Sequence, residues 1–231
     1  MRIEIHKQCP DYNGYRAARV KSLFNAERGD KFDLIADLPV EDMDWQIGLV
    51  VGPSGSGKTS IGETLFSGGQ IVNLYEGWPD DQPIVEAISP WLDFNAVTGA
   101  LANVGLGDVP AWLRPFKALS NGQQFRAGLA RLISDPQDEV IVDEFTSVID
   151  RQIARIGAMA FSKGWRRNKG KKVVLLSCHY DIVEWLQPDW VYDTGTGDFK
   201  KKVQSDPGHH SNWKFGRSTP LTGNILNTIT I

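Results

Sequence analysis

The chain has 231 residues, 41% hydrophobic and 23% charged, an ordinary globular composition with enough length to bury a core without disulfide or metal staples. A net charge of −3 excludes a global pull toward nucleic acid or anionic lipid, so any such affinity must be local. Cys9 and Cys178 match no metal or redox spacing, and no apolar run approaches the ~20 residues that cross a bilayer. Residues 1–6 alternate in polarity, unlike the apolar block of a signal peptide, so the expected location is cytoplasmic, with no membrane insertion.

In chain order, residues 2–6 and 32–36 alternate apolar and polar and predict half-exposed strands. Between them lies the run Tyr15–Phe24, with Gly29-Asp30 as a turn signal. Ile47-Gly48-Leu49-Val50-Val51 is continuously apolar, the pattern of a buried strand in a parallel sheet. Directly behind it stands Gly52-Pro53-Ser54-Gly55-Ser56-Gly57-Lys58-Thr59, followed by Ser60. Two glycines bracketing four residues, then Gly-Lys-Thr, is the phosphate-binding loop pattern. Glycines let several backbone N–H groups curl toward one anion. Lys58 places a compact positive charge on the β- and γ-phosphates, and the Thr59 hydroxyl suits a Mg²⁺ bridging them. The helix predicted from about Lys58 to Phe66, stopped at Gly68-Gly69, adds its N-terminal dipole. The pattern implies a bound nucleoside triphosphate.

Ile71–Leu74 predicts a short strand, and residues 75–83 a loop rich in Gly, Pro and Asp. A weakly helical stretch over about 83–118 predicts a small insertion, which the next helix extends to about 134. That helix follows Ser120 as N-cap, with Phe125, Leu129, Leu132 and Ile133 on one face, and ends at Asp135-Pro136. Val140–Val142 is a buried strand. Ile149, Ile153, Ile156 and Ala160 mark a helix face running to about Phe161. Val173–Ser177 is the next strand, with Cys178 expected to be a small core residue behind it. Ile182–Leu186 predicts a short helix and Trp190–Asp193 a last strand. Strands alternating with helices imply an α/β fold with helices on both sides of the sheet.

Four further stretches follow the loop in a definite order. Leu119-Ser120-Asn121-Gly122-Gln123-Gln124 opens the strong helix, and Val140–Val142 ends in Asp143-Glu144. Ser147-Val148-Ile149-Asp150 comes next, and His179 stands just past strand 173–177. With this set, residues 1–195 resemble the ABC-type ATPase domain: phosphate loop 52–59, signature loop 119–123, Walker B strand 140–144, D-loop 147–150 and switch histidine 179. The joint order carries the resemblance, since each stretch alone is weak.

The resemblance implies a P-loop NTPase core with a mainly parallel sheet, N-terminal antiparallel strands and a small helical subdomain. The expected domain is 1–199, with a polar tail over 200–231. ATP and Mg²⁺ are the implied ligands. Thr59 and Asp143 would hold the metal, Glu144 would polarise a water toward the γ-phosphate, and His179 would bond the γ-phosphate or orient that water. Ser120, Asn121, Gly122 and Gln123 present a helix N-terminus with no triphosphate of its own in the chain. In the family this end, with the D-loop ending in Asp150, closes on the nucleotide of a second copy. The expected assembly is therefore a head-to-tail pair around two ATP molecules, driving an unidentified protein or nucleic-acid partner.

Asn121 stands where the family usually has a second signature glycine, and Phe145 where proline usually follows the glutamate. Both changes leave the polar groups in place. Gln82, 24 residues past Lys58, reads either as the metal-side Q-loop residue or as a solvated loop amide. Phe24, with Tyr15 as the alternative, reads either as the aromatic that stacks on adenine or as core. Segment 60–118 is too short for the coiled coils of chromosome-organising relatives and shorter than transporter subunits usually carry. The runs Tyr15–Phe24, Leu113–Phe116 and Leu119–Arg131 resemble most a soluble group of ABC ATPases often fused to an acetyltransferase domain. A soluble ATPase switch is thus the first expectation, a transporter subunit with a separate permease chain the alternative, and a P-loop small-molecule kinase the third. Lys163, Arg166, Arg167, Lys169, Lys171 and Lys172 with Trp165, and the run Lys200–Lys202, read either as a nucleic-acid patch or as a solvated face. His209-His210 reads as a metal pair or as part of the tail.

Overall fold

A six-stranded sheet carries the fold in the computed structural model, which describes residues 1–8, 10–24, 31–66 and 69–202. At its centre is β3 (Ile47–Val51), flanked in parallel by β6 (Lys172–Ser177) and β7 (Trp190–Asp193). Beyond β6 come β5 (Glu139–Val142) and the edge strand β4 (Gln70–Val72), both parallel. Beyond β7 lies β8 (Asp198–Lys201), antiparallel. A separate antiparallel pair, β1 (Arg2–Gln8) and β2 (Lys31–Asp37), sets Ile3 opposite Ala36 and Lys7 opposite Phe32.

The two-residue period of a strand divides the buried side chains between two cores. Ile47, Leu49 and Val51 of β3, with Val173 and Leu175 of β6 and Val140 and Val142 of β5, join one core. Helices α4 (Phe94–Asn103), α6 (Asn121–Ser134), α7 (Arg151–Trp165) and α8 (Ile182–Leu186) cover it. Val50, Ile141, Val174 and Leu176 point the other way, against Ile61 of α2 (Lys58–Leu65) and Ile3, Ile5 and Ala36 of the β1–β2 pair. Residues that read as unbroken apolar runs are thus alternating strands with both faces covered. The insertion expected after residue 83 consists of α3 (Ile84–Ala87), α4, α5 (Val109–Trp112) and a single 3-10 turn over Phe116–Ala118.

Several expectations are corrected here. Helix α7 extends to Trp165, and its buried stripe is Ala154, Gly157, Ala158, Phe161 and Trp165 rather than a line through Ile156, which is exposed. The reason is close approach: a Cβ on Gly157 would lie 2.4 Å from the Phe125 ring of α6, so small residues face the neighbour. Trp165 is fully buried and its indole N–H donates to the Gln46 carbonyl, so it offers no face to a base. Around it, Arg166 pairs with Asp189, Arg167 donates to Asn103 and Lys172 pairs with Glu139. Four of the six basic side chains thus have partners within the chain, Lys171 donating to the Asp135 carbonyl, and Trp165 is not the aromatic of a surface patch. Cys178 is exposed, because β6 ends one residue before it. The sheet also runs past residue 199, with Tyr192 opposite Phe199 and Val191 opposite Lys200. Cys9, Gly29-Asp30, Gly68 and His209-His210 lie outside the described residues.

Candidate active site

Three parallel strands end side by side, and the residues that follow each converge. The loop after β3 leads into α2 through Gly57, whose φ of 86° lies in the left-handed region that glycine tolerates. No side chain caps this helix end, so its first N–H groups face the opening. The Lys58 ammonium donates to the carbonyls of Gly52 (2.9 Å) and Pro53 (2.7 Å), bracing the loop from inside. Ser56 Oγ donates to the Pro53 carbonyl at 2.7 Å and pairs with Thr194 Oγ1 at 2.6 Å, which fastens the loop to the chain after β7.

From β5 comes Asp143, and the Thr59 hydroxyl donates to its Oδ2 at 2.8 Å. The Glu144 backbone N–H donates to the other oxygen, Oδ1, at 2.8 Å, so the carboxylate is held on both sides. Glu144 (φ 51°) and Thr146 (φ 67°) both adopt left-handed backbone, and the chain between them drives Phe145 into the core. There Phe145 stacks obliquely between Phe125 and Phe161, which is why an aromatic serves at the place where the family usually has proline. The twist leaves the Glu144 carboxylate exposed at the opening. From β6 come Ser177, Cys178 and His179. The Ser177 hydroxyl accepts from the His179 N–H at 3.1 Å, and His179 Nδ1 lies 3.5 Å from Cys178 Sγ. Burial, and then the Arg151 charge, push the His179 pKa below its ordinary value against a smaller opposite pull from Asp181.

The three loops meet at a cavity of about 510 Å³, and His179 follows the lining Cys178 without itself lining it. Ser54, Gly55, Gly57, Lys58, Thr59 and Ser60 form its floor; Asp143, Glu144 and Ser147 line one wall, and Ser177 and Cys178 another. Lys7 and Phe32 close the remaining side. The residues fit a magnesium nucleotide. The volume suits a small ligand, the floor supplies N–H donors and an ammonium, and Thr59 with Asp143 offers a pair of hard oxygens. Among the described residues no group of three or more His, Cys, Asp or Glu could hold a metal ion.

Not every predicted residue is brought here. Gln82 is exposed and lines a different cavity, of about 570 Å³, with Val85, Ser89, Leu92, Phe94 and Val97. The chain leaves β4 at the sheet edge and enters the insertion without returning to the strand tips. Phe24 ends α1 (Tyr15–Phe24), a helix with no buried residue, and is 75% exposed; Tyr15 is 79% exposed. The aromatic in the cavity wall is instead Phe32, delivered by its register opposite Lys7. Its sequence signal is the alternation of 32–36, which makes it the leading apolar residue of a half-exposed strand. Ser120, Asn121, Gly122 and Gln123 stand at the start of α6 and Asp150 caps α7; none of them lines the 510 Å³ cavity.

No family model matches the chain. The "Cytochrome c biogenesis ATP-binding export protein CcmA" of Rhodospirillum rubrum is 33% identical over 58% of this chain and 68% of its own length. The "Taurine import ATP-binding protein TauB" of Pseudomonas entomophila is 27% identical over 78% of this chain and 86% of its own length. Among solved structures, a dimeric bacterial ABC transporter cassette, MJ0796, superposes with a TM-score of 0.55 at 14% identity, covering 74% of this chain and 92% of that one. A putative metal-chelate type ABC transporter in an inward-facing conformation superposes at 0.51 and 18% identity, covering 75% and 74%. Strand order, the converging loops and these kinships agree, and the chain belongs to the ABC-type ATPases as a nucleotide-binding domain.

Proposed function

We propose that the chain is the ATP-hydrolysing subunit of a membrane transporter whose permease is a separate chain, and that it works as a head-to-tail pair around two ATP molecules. The observation that supports the ATP-hydrolysing part of this reading is the 2.8 Å bond between Thr59 and Asp143 inside one cavity, with Lys58 and Glu144 beside it. In this reading Lys58 leaves its two carbonyls to meet the β- and γ-phosphates, and the loop N–H groups take the remaining oxygens. Thr59 and Asp143 would hold Mg²⁺, which when bound neutralises charge building on the phosphates. Glu144 accepts a hydrogen bond from the attacking water, and His179, just beyond the lining Cys178, steadies the γ-phosphate side. Phe32 offers its ring to the base and Lys7 its charge to the phosphates or ribose edge. The chain is expected to sit on the cytoplasmic side.

The relatives that import taurine or serve export, by their names, move the balance from a free-standing switch to a transporter subunit. The second cavity supports the same reading, since exposed Leu92 and Phe94 line an opening of about 570 Å³ on the helical insertion. A soluble switch akin to the acetyltransferase-linked group is the second reading. It is favoured by α1, which stands on the surface with every residue unburied and is part of the run that carries that likeness.

Glu144→Gln, purified and passed over gel filtration, tests the pairing: monomer without nucleotide and dimer with Mg-ATP is the expected result, and monomer in both overturns it. Co-purification of the tagged chain with an integral membrane protein separates the two partners' classes.

A further inference from the structure

The loops after β5 and β6 reach the cavity from neighbouring strands, and one side chain spans them. Arg151 opens α7, directly behind the Asp150 cap. Its Nε donates to Asp181 Oδ2 at 2.9 Å and its Nη2 to Asp181 Oδ1, a fork on both carboxylate oxygens. Its Nη1 donates to Thr146 Oγ1 at 3.3 Å and to the Thr146 carbonyl at 3.5 Å. The guanidinium also lies 5.0 Å over the Trp185 ring of α8. Thr146 is buried, left-handed at φ 67°, and sits between Glu144 and Ser147, both of which line the cavity. Asp181 stands two residues past His179. The opposite flank of that loop is held by Tyr180, whose hydroxyl donates to the buried Asp193 at 2.9 Å.

We propose that Arg151 and Asp181 are positioning residues that keep Glu144, in the cavity wall, in one register with His179, the residue after the lining Cys178. The proposal rests on the reading of that cavity as an ATPase site. Two physical points support it. A non-glycine residue in the left-handed region persists only where its surroundings over-determine it, and Arg151 bonds Thr146 at two atoms. Further, both ion-pair partners are substantially solvated, at 34% and 45% exposure, so global stability is a weak reason for the pair. What a planar fork adds over a point charge is direction. It fixes the distance between two loops whose ladder ends with Val142 opposite Leu175, past which the Phe145 N–H donates to the Leu176 carbonyl.

The test uses the full chain with Arg151→Lys, Arg151→Gln, Asp181→Asn and the Arg151→Gln/Asp181→Asn pair. Each single change is expected to lower kcat by about tenfold to a hundredfold, the scale of a small misplacement of catalytic groups. KM for ATP stays within about twofold and the thermal midpoint holds, because neither residue touches the phosphates. The pair is expected to lose no more than the worse single variant, since both act through one link. Arg151→Lys keeps charge and fold, so its loss isolates the fork. Wild-type kcat in Arg151→Lys and Asp181→Asn, losses that multiply in the pair, or a rise of KM together with a fall of the thermal midpoint would each overturn the proposal. Absence of ATP hydrolysis in the wild type, with Lys58→Ala indistinguishable from it, overturns the underlying reading and the proposal with it.

Discussion

Helices α2 and α6 both point an N-terminus outward, and their caps are opposite in kind. At α2 the cap is Gly57, with no side chain to satisfy the helix N–H groups. At α6 the cap is Ser120, whose hydroxyl accepts from the Gln123 N–H while the Gln123 amide oxygen accepts from the Ser120 N–H. This reciprocal box leaves fewer donors wanting. The bare end lies in a 510 Å³ cavity with Lys58, and the satisfied end lines none of it. If the proposed pairing holds, the helix end that takes phosphate from its own chain is the open one, and the end that meets the phosphate of another copy carries its own cap.

Ser120→Asp is the sharpest way to break that comparison. Aspartate caps a helix as well as serine does, and its charge suits the dipole, so the monomer's thermal midpoint should not fall. Facing a γ-phosphate across a dimer it would be repelled, and ATP-driven pairing in the Glu144→Gln background should vanish on gel filtration. A dimer that survives would show that α6 meets no phosphate.

Lys58→Ala comes next. Losing a charged donor to phosphate is worth about 1.5–3 kcal/mol, so the Kd for ATP should rise by about 10- to 100-fold in a fluorescent-nucleotide titration. Unchanged affinity would remove the phosphate loop from its role.

Gly57→Ala follows. A Cβ there would lie 2.6 Å from the Phe32 ring, at a φ of 86°. The left-handed backbone alone costs about 1–2 kcal/mol, and Phe32 must shift in the cavity wall. Nucleotide affinity should fall several-fold and stability with it; a change in thermal midpoint with no change in affinity would place Phe32 outside the ligand's reach.

Much of this was legible in the residues. The strand–loop–helix unit at 47–66 and the order of the later stretches rest on local chemistry: an apolar run, glycines, a lysine, a serine cap, two carboxylates. What escaped depends on partners distant in sequence. Phe32 reaches the cavity through the antiparallel register of β1 with β2, and nothing around residue 32 shows that Lys7 stands opposite. Phe24 is the nearer aromatic in sequence to the usual place, but α1 leaves it on the surface. The 24-residue spacing of Gln82 from Lys58 carries no direction. For α7 the isoleucine spacing pointed to one face, while packing selected the face of small residues because α6 lies close. The open side of β7 could not announce that Asp198–Lys201 would pair with it.

The smallest effect sharpens the comparison from the other side. Ser120→Ala removes the hydroxyl that accepts from Gln123 and should cost the monomer about 1 kcal/mol, within a range of 0.5–2. In a thermal melt this is a shift of a few degrees. In the proposed pair the same change would also remove a group offered to the partner's phosphate, so the ATP concentration needed for half-dimerisation should rise by more than the stability loss predicts. Ser120→Asn separates the two contributions, since asparagine restores the cap but presents an amide in place of a hydroxyl. If Ser120→Asn recovers both the melt and the dimerisation midpoint, the serine is a cap and nothing more. If it recovers the melt alone, the hydroxyl itself is what the second nucleotide meets.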